Sequence, residues 1–124
     1  MLCVFTLLLT ACGKDDNDNS MDARLCRTWI EEYTEDNITY THQLIFTQAG
    51  YSGQELKKKY DHTTSTANTE TRDFTWKDSS MECLVLSYGA GEIKYLENIW
   101  IREHYLNGKL GGEWIMMTDA NYMN

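Results

Sequence analysis

The chain has 124 residues and a formal net charge of −8, with 19 acidic against 11 basic side chains. This composition argues against nucleic acid as a partner, because binding to phosphate backbones depends on Lys and Arg. About 100 residues follow the N-terminal segment, which is room for one domain with a modest core. The one basic cluster, Lys57-Lys58-Lys59, is predicted to be a solvated face.

The N-terminal segment contains an apolar run at residues 2–9, followed by Thr10-Ala11-Cys12. A helix needs about 20 apolar residues to cross a bilayer, so this short run predicts a secretory signal peptide and not a transmembrane anchor. A signal peptide normally carries a positive charge before its apolar run. Because none stands there, we expect translation to start upstream of Met1.

The tetrapeptide Leu9-Thr10-Ala11-Cys12 resembles the lipobox of bacterial lipoproteins. The resemblance implies that residues 1–11 are removed as a signal peptide and that Cys12 is acylated, which anchors the protein to a membrane. Gly13, standing where an inner-membrane lipoprotein carries Asp, implies the outer membrane. Lys14 and the aspartates behind it resemble a surface-export signal of lipoproteins in some Gram-negative anaerobes, and a plain charged spacer is the alternative. The domain is therefore expected on the periplasmic side or at the cell surface.

The segment behind the lipidation site, residues 12–23, is predicted to be a disordered acidic tether, because it offers little apolar surface to bury. The folded domain is predicted to span residues 24–124. Two cysteines remain in it, Cys26 and Cys83. An even pair in an exported domain is a candidate disulfide, and two small core thiols are the alternative.

Beyond the tether the apolar residues recur mostly with period two and Pro is absent, which is typical of β-strands. The clearest strand is predicted at residues 38–47. Residues 52–62 fit an edge strand or a short helical turn, of which we prefer the strand, and residues 61–71 are predicted to be an exposed loop. One face of the clearest strand is predicted to face the core: Ile38, Tyr40, His42, Leu44 and Phe46.

The second half of the domain continues the same pattern. The alternation also places Phe74 and Trp76 on an inner face. A turn at Glu97-Asn98 is expected to split one stretch into two strands, unless Glu97 points inward. Asn107-Gly108 is the strongest hairpin signal in the chain, because a type I′ turn needs positive φ at both central positions. Strands are predicted within residues 72–77, 82–88, 92–106 and 109–118.

These strands predict an all-β fold, a small antiparallel up-and-down β-barrel of seven or eight strands that follows the tether. Four segments carry a resemblance to a known family: Leu25-Cys26-Arg27-Thr28-Trp29, Leu44-Ile45-Phe46-Thr47, Phe74-Thr75-Trp76 and Leu84-Val85-Leu86. With them the domain resembles the lipocalin-like lipoprotein domains of Gram-negative anaerobes. The resemblance implies that the early Trp, here Trp29, plugs one end of the barrel.

Catalytic and metal-binding motifs are not evident in the sequence. His42, His62 and His104 have no Cys or second His at metal-ligand spacing. A nucleophile elbow and a phosphate-cradling glycine loop are also missing. We therefore expect no catalytic residue, no metal and no cofactor, and predict a protein that is not an enzyme.

The aromatic side chains support two hypotheses. They either fill the barrel interior or line an incompletely filled cup, in which His42 orients a ligand. Trp100 has the opposite parity and is a candidate exposed anchor. The first hypothesis is an outer-membrane protein that binds a small apolar or amphipathic ligand; the second is a packed barrel that binds a protein partner as an accessory subunit or inhibitor. The aromatic candidates for the cup lining are Tyr40, Phe46, Phe74, Trp76 and Trp114.

Overall fold

The computed structural model describes residues 21–80 and 82–122. The predicted signal peptide and the lipidation site at Cys12 lie outside the described residues. Eight strands form one closed antiparallel barrel in which each strand pairs with its neighbours in the chain, and β8 returns to β1. The predicted all-β, up-and-down barrel is therefore confirmed. The strands are β1 Thr28–Glu35, β2 Ile38–Thr47, β3 Ser52–Asp61, β4 Thr66–Ser80, β5 Cys83–Gly89, β6 Glu92–Arg102, β7 Tyr105–Leu110 and β8 Glu113–Asp119.

A short helix, α1 (Met21–Leu25), lies at one end of the barrel. Leu25 and Trp29 are both fully buried there, and the Trp29 indole N–H donates a 2.9 Å hydrogen bond to the Leu25 carbonyl oxygen. The Arg24 guanidinium donates to the Ile101 carbonyl oxygen, which ties the helix to the end of β6. Ordered structure thus begins at least three residues before the predicted boundary at residue 24, and Trp29 lies at the closed end as expected.

The half of the barrel next to α1 has a packed interior. Phe46 contacts the rings of Phe74 and Trp76 edge to face, with ring centroids 5.5 and 5.9 Å apart. Alternation of side chains along each strand brings one apolar residue from nearly every strand into this layer. Further core members are Leu44, Leu84, Leu86, Leu96, Ile99, Ile101, Leu106, Ile115 and Met117.

Two predicted turns lie inside strands. Glu97-Asn98 does not end a strand, because the register shifts between Glu97 and Trp100 and β6 continues through this bulge. Asn98 adopts a φ of 54° there, a left-handed conformation that Asn tolerates better than most residues. Asn107-Gly108 lies within β7, and the chain instead turns at residues 103–104 and 111–112.

The β3–β4 hairpin also differs from the prediction. β3 is a strand, as preferred, but it pairs on both sides and is not an edge. β4 begins at Thr66, so the predicted loop at residues 61–71 shortens to residues 62–65. The polar Thr and Asn side chains of this region are accommodated because β3 and β4 extend into solvent beyond the core.

The barrel closes along a short seam between β1 and β8. Only two residue pairs join these strands in the described structure, Trp29 with Asp119 and Ile30 with Thr118. The remaining residues of both strands diverge toward the end opposite α1. In the diverging part the Met116 backbone N–H acts on the Glu31 carboxylate and lowers its pKa in part, against the larger effect of burial.

Candidate functional site

The end of the barrel opposite α1 holds an open cup with a volume of about 640 Å³. It lies above the packed layer, where the strands extend past the core and the β1–β8 seam has opened. Ligand pockets for small molecules typically measure about 300–1,000 Å³, so the cup has the size of a binding site. Its walls include side chains of β1, β2, β3, β4, β6, β7 and β8.

Three of the six predicted lining residues contribute to the cup. Tyr40 and His42 face it from β2, and Trp114 lies at its rim with 64% of its surface exposed. Tyr40 stacks on Tyr33, with ring centroids 5.0 Å apart and planes inclined by 21°. Together with Leu110 and Ile115, these rings give part of the cup an apolar surface.

The other three predicted residues, Phe46, Phe74 and Trp76, do not line the cup. Each is at most 3% exposed, and they belong to the packed layer below it. They have the inward parity that the sequence indicated, but they stand closer to α1 along their strands. Both hypotheses about the aromatics are therefore partly right, since one half of the interior is filled and the other half is open.

A buried hydrogen-bond network is centred on Glu55, whose residue surface is 2% exposed. Its carboxylate contacts His42 Nε2 at 2.5 Å and accepts a hydrogen bond from the Tyr88 hydroxyl at 2.7 Å. Burial alone would raise the pKa of Glu55, but the hydrogen bonds from His42 and Tyr88 outweigh it and lower the pKa to about 2. Burial and the neighbouring Glu55 carboxylate raise the pKa of Tyr88.

The cup also carries a set of cationic side chains. Lys57, Lys58 and Lys59 all contribute to its lining, and all three are exposed, so the triplet is solvated as predicted and also borders the open cup. Lys94 reaches the cup from β6, and its ammonium lies 5.3 Å from the centroid of the Tyr88 ring. The Lys59 ammonium similarly lies 6.0 Å from the centroid of Tyr40.

Carboxylates balance these cations across the mouth. Glu31, Glu70 and Glu113 line the cup in addition to Glu55, so four Lys face four Glu. Burial is the largest influence on Glu31 and raises the pKa of its carboxyl group. A lining without net formal charge is notable in a chain of net charge −8, because it makes the cup less repulsive to anions than the remaining surface.

The outer wall of the barrel carries a second feature, which we call the outer aromatic patch. It lies on β6 and β8, where Trp100 and Met116 both pair with Asn107 of the intervening β7. Trp100 is 48% exposed, as its parity predicted, and Met116 is 71% exposed. The patch consists of Trp100 and Met116, and the exposed rim residue Trp114 lies two residues before Met116 on the same outer parity of β8.

The two cysteines of the domain are not joined by a disulfide. Cys26 precedes β1 and Cys83 opens β5, and both are half-buried thiols in the described structure. The structure therefore shows two separate thiols in place of the candidate disulfide. Among the described residues, His, Cys, Asp and Glu form no group of three or more that could hold a metal ion.

Sequence reasoning missed Glu55, Tyr88 and Lys94 as parts of the site. Glu55 has the same parity as Lys57 on β3, but only the lysine triplet of this stretch was considered, as a solvated face. Comparisons with protein-family models, curated proteins and solved structures give no match. Within the described part of the chain, none of the helices has the length and apolar character needed to cross a membrane.

Proposed function

We propose that this protein is a lipid-anchored, non-enzymatic binding protein of the outer membrane that holds a small amphipathic molecule in its cup. The observation that carries the proposal is the lining of the 640 Å³ cup, which joins an aromatic and aliphatic surface to a ring of charged side chains. Such a surface suits a ligand with one apolar and one polar end. A purely apolar ligand would desolvate charged side chains of the lining without providing a polar partner, at a cost in free energy.

Lipid anchoring to the membrane is proposed from the sequence alone. The lipobox-like tetrapeptide ending at Cys12 supports acylation, and two acyl chains suffice for stable anchoring. The lipocalin-like resemblance and the barrel support a carrier or receptor role. We assign no catalytic step, because both carboxylate oxygens of Glu55 are engaged by His42 and Tyr88 within the network.

Native mass spectrometry tests the proposal. The acylated protein, purified from the membrane fraction of the source bacterium, is sprayed intact and denatured. We expect an adduct that is lost on denaturation and whose mass identifies the ligand. A bare monomer would contradict small-molecule binding.

A pair of matched variants locates the adduct. Asn68 lies on β4 and lines the cup, so Asn68→Trp fills the mouth and should abolish the adduct. Thr71, on the same strand, is exposed and has the opposite parity, so Thr71→Trp should keep it. An adduct that survives in both variants would lie outside the cup.

The outer aromatic patch supports a second candidate, a protein-binding role for the same anchored barrel. Exposed Trp and Met side chains at the centre of a surface are typical of protein interfaces. A photo-crosslinking residue at Trp100 should capture one partner protein on intact cells if this function operates. The same residue at Tyr122, which is 56% exposed but outside the patch, is the control and should capture none.

A further inference from the structure

A small recess opens from the cup between β3, β4 and β6. Its volume is about 40 Å³, and every side chain that lines it is charged. One water molecule takes about 30 Å³ in the liquid, so the recess has room for a group of a few atoms and not for a whole ligand. Its lining residues are Glu55, Lys57, Glu70, Arg72 and Lys94.

Two of these five residues already have strong partners. Both oxygens of Glu55 are engaged by His42 and Tyr88. The Arg72 guanidinium forms a two-pronged ion pair with Glu92, with N–O distances of 2.8 and 2.5 Å, and lies over the Tyr88 ring. Both groups therefore already have charge or hydrogen-bond partners within the protein.

The two lysines have weaker partners. Neither the Lys57 nor the Lys94 ammonium forms an ion pair within 4 Å of a described carboxylate, although the charge of Lys94 helps to lower the pKa of Glu55 and of Glu92. Lys94 is half-buried, and its aliphatic stem passes beneath Gly111, where an added Cβ would lie 3.3 Å from Lys94 Cδ. A partly desolvated ammonium held in this way gains most from an anionic partner.

We propose that the recess binds the carboxylate group of the ligand, with Lys57 and Lys94 as its charge partners. The apolar body of the ligand then lies against Tyr33, Tyr40 and Ile115 in the wider cup. This inference rests on the proposed ligand-binding function and deepens it, because it names the class of ligand as a carboxylic acid with an apolar tail.

The charge of Glu70 is expected to oppose binding of a carboxylate in the recess. Glu70 stands opposite Lys57 in the register of β3 and β4, and it is the remaining carboxylate of the recess. A bound carboxylate is repelled by it, so removal of its charge should strengthen binding. A residue with a purely structural role would not produce a gain of this kind.

Three probes with one apolar body test the head-group assignment: 4-phenylbutanoate, 4-phenylbutan-1-ol and 4-phenylbutylamine. Binding to residues 21–124, which contain every member of the core, is measured by isothermal titration calorimetry. We expect the carboxylate to bind about tenfold or more tightly than the alcohol, because a hydrogen bond between charged groups strengthens binding by about that factor. The amine should bind least tightly, since it meets the two ammonium groups.

Variants of the recess complete the test. Lys94→Gln should weaken 4-phenylbutanoate about tenfold and leave the alcohol unchanged, and Glu70→Gln should strengthen 4-phenylbutanoate several-fold. Lys77→Gln, an exposed lysine of β4 outside the cup, should change neither affinity and is the matched control. Circular dichroism confirms that each variant is folded.

The outcomes separate the two proposals. If all three probes bind with similar affinity, or if Lys94→Gln affects the alcohol and the carboxylate equally, the recess is not a carboxylate site although the cup binds ligands. If no probe binds at millimolar concentration, the cup does not take small amphipathic molecules, and the proposed function itself is overturned.

Discussion

The buried Glu55 carboxylate is the side chain whose ionisation is most closely connected to the fold. It has almost no contact with water, and its two oxygens are held by His42 and Tyr88 on neighbouring walls of the barrel. Loss of one partner would leave a buried charge without compensation, which is far more costly than loss of an exposed ion pair. The network therefore couples three strands through one charge.

Because of this coupling, we expect the free energy of unfolding to depend on pH in the acidic range. The pKa of Glu55 is lowered from 4.5 to about 2 in the folded protein, so folding gains stability above the unfolded pKa and loses it as the pH falls from about 5 toward 2. A pKa shift of this size corresponds to about 3 kcal/mol in the free energy of unfolding at neutral pH. Glu55→Gln should remove that contribution, lowering the free energy of unfolding at pH 7 and flattening its decline in acid.

Urea denaturation at a series of pH values measures this effect. Glu35→Gln, at the exposed end of β1, is the control and should follow the wild-type curve. An equally steep acid decline in Glu55→Gln and in the wild type would contradict the assignment of the pH dependence to Glu55.

Gly53 permits the closest packing in the core. A Cβ added there would lie 2.4 Å from Phe74 Cε1 and 2.5 Å from the Ile45 carbonyl oxygen. Gly53→Ala should therefore destabilise the domain by about 1–3 kcal/mol or more, because both the ring and the backbone must move. At Gly108 the nearest atom is the flexible tip of Leu96 at 3.1 Å, so Gly108→Ala should cost less. Thermal denaturation that ranks the two variants in the opposite order would refute this account.

Individual site residues were only partly predictable from the sequence, for a physical reason. Period-two alternation tells which face a side chain occupies, and it placed Tyr40, His42, Phe46, Phe74 and Trp76 inward, as they are. It does not tell how far along the barrel axis each one stands. That distance separates His42, in the cup, from Phe46, in the packed layer.

At the level of the strands, the β6 bulge explains why the turn predictions failed. Asn residues favour positive φ, and the sequence offers Asn98 and Asn107 as turn positions. The fold uses Asn98 inside a continuous strand, where the bulge brings the Ile99 backbone N–H within 3.2 Å of the Glu82 carbonyl oxygen. Local turn chemistry could not reveal this, because the competing contact comes from a distant loop.

The left-handed conformation of Asn98 in the bulge can be tested by substitution. A β-branched side chain is strongly disfavoured at the φ of 54° that Asn98 adopts, so Asn98→Val should lower the free energy of unfolding by about 1–2 kcal/mol. Asn98→Gly, which fits this conformation without steric conflict, should be close to neutral. Both are measured by urea denaturation, and equal stabilities for the two variants would mean that the bulge relaxes instead of storing strain.

For the molecule as a whole, chain order determines which end of the barrel a membrane anchor connects to. The proposed lipidation site at Cys12 precedes α1, and α1 lies at the closed end of the barrel. The predicted tether would therefore join an anchor at Cys12 to the closed end. The barrel class itself could be predicted because strand periodicity repeats along most of the domain, so single errors in turns did not alter it.

The anchor is tested by one substitution. Cys12→Ala removes the acylated thiol, so the protein should move from the membrane to the soluble fraction and should no longer incorporate radiolabelled palmitate. Cys26→Ala keeps the proposed anchor and should remain membrane-bound. A Cys12→Ala protein that is still cleaved and membrane-bound would overturn the lipoprotein proposal.

The short β1–β8 seam has a consequence for folding. All other strand pairs join neighbours in the chain, whereas the seam joins Trp29 to Asp119 near the two ends of the described residues. Because the entropy lost in closing a loop grows with its length, this junction should be the last to form and the first to open. An opened barrel exposes two strand edges together. In concentrated solution, two opened copies could each complete their sheet with the other's terminal strand, giving a strand-exchanged dimer that separates only slowly.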